Sequence, residues 1–65
     1  MMQMQSATWR NGSKTVTGEW KYLWSQDRFV IRLNSRDRIT GRQREMIVSG
    51  DSPEWGNWKK VAEHD

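Results

Sequence analysis

Five tryptophans and no cysteine in 65 residues set the terms on which this chain can fold. A large aromatic side chain buries roughly 150–250 Å² when it packs, and little else here is strongly apolar. Leu, Ile, Val and Phe together number 10. That share, about 15%, is typical of disordered chains when net charge is high. The net charge of +3 is modest for the length, so the tryptophans tip the balance toward a folded domain with a tryptophan-rich core. A chain this short forms one domain with a thin margin of stability. A homodimer would widen that margin.

Without cysteine, neither a disulfide framework nor a thiolate metal site can staple the fold. The single histidine, His64, sits next to the last residue and leaves no His-based zinc site. No apolar run exceeds three residues, so no membrane span or signal-peptide core is expected, and a cytoplasmic location is.

Residues 1–6 alternate Met and Gln and read as a flexible tail, with a single domain over 7–65. The pattern then predicts an α+β, mainly β fold: an antiparallel meander of three to four strands closed by a short C-terminal helix. The strands are placed at about 7–10, 14–24, 27–34 and 45–49. Asn11-Gly12 is a hairpin signal, read as a type I′ turn with positive φ at both central positions. It also opens an Asn-Gly-Ser glycosylation sequon, which the turn reading outweighs. Thr17-Gly18 reads as a bulge or bend. Trp20, Tyr22 and Trp24 alternate with polar or smaller neighbours, and Phe29, Ile31 and Leu33 form the cleanest half-buried strand.

Toward the C-terminus the period changes. Ser52 as N-cap, Pro53 at the first helical position and Glu54 in the first turn are helix-start signals. Trp55, Trp58, Val61 and Ala62 share one helical face, predicting a helix over about 53–62 docked on the sheet.

The charge is unevenly spread. Residues 28–44 carry Arg28, Arg32, Arg36, Arg38, Arg42 and Arg44 against Asp37 alone, a net of +5. Residues 1–27 hold a net of +1 and residues 45–65 a net of −3. Arginine suits bidentate phosphate and base-edge contacts as well as stacking. With Phe29, Ile31 and Leu33 facing the core, Arg28 and Arg32 point the other way, about 13 Å apart. The plainer reading is a solvated face whose arginines pair with Glu19, Asp27, Asp37 and Glu45.

Two functions follow. One is a small module that binds DNA or RNA, with this arginine block on phosphates and Trp9 or Trp24 stacking on bases. Trp9, beside the hairpin turn, is expected to be exposed, and Trp55 and Trp58 to be core. The other is an adaptor or inhibitor that turns the same Arg and Trp surface to an acidic protein. No RNP motif, KH loop, zinc knuckle or helix-turn-helix pattern supports the first reading specifically. Catalysis is not expected: no nucleophile sits beside a base, no Gly-rich phosphate loop is present, and no cofactor or metal is implied.

Overall fold

The computed structural model describes residues 4–64. It contains five strands: β1 (Gln5–Asn11), β2 (Lys14–Leu23), β3 (Arg28–Arg36), β4 (Gln43–Val48) and β5 (Lys59–His64). They form a single antiparallel sheet in the order β4-β3-β2-β1-β5. The chain meanders to β4 at one edge, then returns to the other edge to lay β5 against β1. The segment 49–58 therefore crosses four strand spacings of about 4.8 Å and also most of the length of the sheet, since β4 ends beside Phe29 and β5 starts beside Arg10.

Period-two alternation explains the core. Ala7, Gly18 and Leu33 stand in one row across β1, β2 and β3, and Trp20, Ile31 and Met46 in another across β2, β3 and β4. Partners in a row share a face, so one side of the sheet gathers Ala7, Trp9, Ile31 and Leu33, all buried. Val16, Trp20, Met46, Val48, Trp55 and Trp58 pack around them. The opposite face is mostly polar, with Asn34 Nδ2 donating to Thr17 Oγ1 at 2.9 Å and Arg32 Nε to Glu45 Oε2 at 3.0 Å, but it also carries the buried Val30, paired in register with Ile47.

No helix forms among the described residues, so the fold is all-β and the predicted α+β class with a helix over 53–62 is corrected. Gly56 adopts φ 54°, left-handed backbone in the middle of the expected right-handed helix. The Pro53 carbonyl, which a helix would offer to Asn57, instead accepts the Trp9 indole N–H at 2.7 Å. Ten residues have little helical stability of their own, and β1 offers an open edge. Lys59–His64 takes it as β5. Glu54 Oε2 fixes the entry to this strand by accepting the Lys60 amide at 2.7 Å, and that bond lowers the Glu54 carboxyl pKa. Trp55 and Trp58 do dock on the sheet. A turn, with Trp58 N donating to Trp55 O at 2.9 Å, brings them to one side in place of a helical face.

Smaller corrections have equally local causes. Gln5 and Ser6, read as tail, are the first paired residues of β1, opposite Trp20 and Glu19; residues 1–3 of that tail lie outside the described residues. β3 extends to Arg36 and β4 begins at Gln43. In the first hairpin Asn11 pairs with Lys14, so the turn residues are Gly12 and Ser13. Only Gly12, at φ 62°, is left-handed, matching the Gly-first pattern of a type II′ turn and not the I′ turn predicted one residue earlier.

Gly18 is neither bulge nor bend. It pairs in register with Ala7 on one side and Leu33 on the other. A Cβ there would stand 2.2 Å from the Arg32 carbonyl oxygen and 2.9 Å from Leu33 Cα. The close approach of β2 to β3 therefore requires glycine. Gly18→Ala must push backbone aside and should destabilise the domain by at least about 2 kcal/mol, read as a lower urea midpoint. An unchanged midpoint would show that the strands can part there at no cost.

Candidate functional site

Antiparallel strands sort the charges by end. The β1–β2 turn, the β3–β4 loop and the start of β5 all lie at the same end of the sheet. That end receives Arg36 from β3, Arg38 and Arg42 from the loop, and Arg44 from β4. It also receives Arg10 and Lys14 from the first hairpin and Lys59 from β5, where Arg10 and Lys59 are direct cross-strand partners. Among the described residues none of Arg36, Arg38, Arg42 and Arg44 is in an ion pair; Lys59 has Glu54 at 3.9 Å.

The predicted block thus divides. Four of its arginines cluster at the basic end. Arg32 lies mid-strand on the polar face, paired with Glu45 at 3.0 Å. Arg28 is exposed at the far end of β3, beside the β2–β3 turn, about 26 Å from Arg36 at roughly 3.3 Å per residue. The other pairings of the solvated-face reading do not form among the described residues. Asp27 accepts the Tyr22 hydroxyl, and Asp37 serves the loop.

Residues 37–42 make a tightly bonded loop between β3 and β4. Asp37 Oδ1 accepts the amides of Ile39 at 2.8 Å and Thr40 at 3.0 Å. The Asp37 carbonyl accepts from Gly41 N at 2.9 Å, and Asp37 N donates to Arg42 O at 2.8 Å. Gly41, at φ 72°, supplies the left-handed residue this closure needs. Arg36 Nη1 donates to the Gly41 carbonyl at 3.0 Å. Ser35, Arg36, Asp37, Arg38, Ile39 and Arg44 line a concave surface at this end.

The two tryptophans assigned to stacking have opposite fates. Trp9 is fully buried, a correction to its expected exposure: it sits on the inward face opposite Val16 and packs against Trp55 with ring centroids 5.6 Å apart. Trp24 is 86% exposed in the β2–β3 turn, edge-on to Tyr22 at 5.2 Å. It stands at the end remote from the basic cluster. The two can share a ligand only if that ligand runs the length of β3.

Arg10, Lys14 and Lys59 were missed as members of the cluster. The Asn11-Gly12 hairpin signal was enough to set Arg10 and Lys14 together at a turn; only the strand order reveals that the arginine loop and Lys59 join them. Comparison with protein-family models, with curated proteins and with solved structures returns no match. The geometry alone supports a functional reading.

The amides of Ile39 and Thr40 hold the Asp37 carboxylate below its usual pKa, Thr40 contributing most. A carboxyl depressed on folding stabilises the loop above its unfolded pKa, and that stabilisation is lost as pH falls through the folded value. In an NMR titration the Ile39 and Thr40 amide shifts should move together, with a midpoint below the ordinary aspartate value of about 3.9. A midpoint at or above that value would mean the carboxylate does not hold the loop.

Proposed function

We propose that the protein is a cytoplasmic, non-enzymatic module that binds nucleic acid end-on, through the basic end of its sheet. One observation carries this reading. Arginines and lysines from all five strands and a loop converge there, and the carboxylate in their midst, Asp37, is engaged by backbone amides. Exposed guanidinium groups without ion pairs, on and beside a hydrogen-bonded loop, suit a phosphate backbone, because each neutralised phosphate releases a counterion.

The sheet face bearing Arg28 and Arg32 is a weaker candidate. Arg32 already has Glu45, and Arg28 stands apart next to Asp27, with Leu23 as its cross-strand partner on β2. The proposed contacts are therefore Arg36, Arg38, Arg42 and Arg44, with Arg10, Lys14 and Lys59 extending the positive surface across the end of the sheet.

The test is anisotropy of labelled oligonucleotides across a salt series. With four cations on phosphates of a duplex, log affinity should fall with log salt at a slope of about −3.6. Arg38→Ala and Arg42→Ala should each reduce that slope by about one, whereas Arg28→Ala and Trp24→Ala leave it unchanged. Equal losses from Arg28→Ala would move the contact to the strand face and overturn the end-on reading. No oligonucleotide binding even at about 50 mM salt, where electrostatic contacts are strong, would reject nucleic acid and leave an acidic protein surface as the partner.

A further inference from the structure

The Ile39 side chain contributes nothing to the core. It is 94% exposed at the tip of the 37–42 loop, in a protein with few large aliphatic residues to bury. Turn positions favour Gly, Asn, Asp and Ser, and a β-branched side chain gains nothing there from local backbone preference. The loop nevertheless holds this residue firmly in place: its own amide is fixed to Asp37 at 2.8 Å, and the loop closes through Asp37 N and Arg42 O at 2.8 Å. Arg36, Arg38 and Arg44 line the same concave surface as Ile39. Of the other exposed apolar side chains, Trp24 stands in the β2–β3 turn with Arg28 alone of the arginine block beside it, and Ile47 and Val61 lie within β4 and β5.

We propose that Ile39 is a wedge that enters the minor groove of duplex DNA and partly unstacks one base step, while the arginines around it hold the flanking phosphates. The inference rests on the nucleic-acid reading above and narrows its ligand to a deformable duplex. An aliphatic tip has no π face on which an unpaired base can stack, and single-strand binding depends on such faces. Trp24, the tryptophan that is open to solvent, stands at the other end of the sheet; Trp55 and Trp58 are engaged with Trp9 and each other. Apolar wedges set among cations are the side chains that unstack and kink a duplex from the minor groove, and pyrimidine–purine steps yield most easily.

The experiment is energy transfer between dyes on the two ends of a duplex of about 20–30 bp with a central TA step. The wild type at saturation should shorten the end-to-end distance and raise transfer. Ile39→Ala and Ile39→Ser, at a fully solvated position, should melt as the parent does and keep its salt slope, yet leave transfer at the level of free DNA. Ile39→Leu should still bend. Binding by the wild type without a rise in transfer, or equal bending by Ile39→Ala, overturns the wedge and leaves the phosphate reading standing. Tighter binding to the single strand of the same sequence also overturns it. No binding to either form removes both readings. Binding to phosphatidylserine vesicles but not to the duplex reassigns Ile39 to a membrane surface.

Discussion

The hydrogen bond from the Trp9 indole to the Pro53 carbonyl joins the two halves of this molecule. Its partners are 44 residues apart and its length is 2.7 Å. A buried indole N–H left without a partner costs on the order of 1–3 kcal/mol, so the fully buried Trp9 binds the crossing segment 49–58 as much as that segment covers Trp9. Trp55 packs on Trp9 at 5.6 Å and Trp58 stacks on Trp55 at 5.6 Å, extending one core residue into a covering layer. With that layer in place, β5 starts beside β1, and the sheet acquires its fifth strand. Trp20 shows the other outcome. Its Nε1 has no partner among the described residues, and the Lys60 ammonium lies over the ring, 4.6 Å from its centroid.

The distribution of charge follows from this topology. A net charge of +3 says little about a surface. Antiparallel pairing puts the first hairpin turn and the β3–β4 loop at one end, and the crossing segment delivers Lys59 to the same end. Cations far apart in the chain thereby become neighbours in a single field. A field of this kind steers a polyanion toward one end of the molecule. The acidic residues of the C-terminal segment reach only one of these cations: Glu54 lies 3.9 Å from Lys59, whereas Glu63 pairs with Lys60 and Glu45 with Arg32.

What could be read from the sequence was what local pattern determines. Phe29, Ile31 and Leu33 announce β3 by their alternate spacing even though Val30 breaks the pattern, and the arginine-rich stretch around the β3–β4 loop is visible in the order of residues. The helix was misread because its signature is degenerate. Ser52, Pro53 and Glu54, with tryptophans three apart, suit a helix start, and equally suit a turn that brings two indoles to one side. The choice was made by partners remote in sequence, the Trp9 indole and the open edge of β1. Trp9 was misjudged by proximity to the turn. Its inward orientation follows from Val16 across the hairpin, a pairing that depends on the true register. The clustering of Arg10, Lys14 and Lys59 with the arginines required the strand order, which no local pattern encodes.

The loop that carries the candidate site is built differently from the rest of the domain. Its order comes from the Asp37 carboxylate and backbone bonds, and its side chains are exposed. The sheet, by contrast, depends on Trp9, Ile31 and the glycine that lets β2 approach β3. Asp37 stays ionised while accepting the two amides, and among the described residues it forms no ion pair with the surrounding arginines, Arg44 acting on it only through space. Arg36 donates to the Gly41 carbonyl and keeps its full charge. Because so little of the core passes through residues 37–42, the side chains presented there are free to vary without unfolding the domain. A small sheet with a thin margin of stability can carry a dense positive surface on that condition: the charges must be held by local bonds and stay in water, where their mutual repulsion is screened.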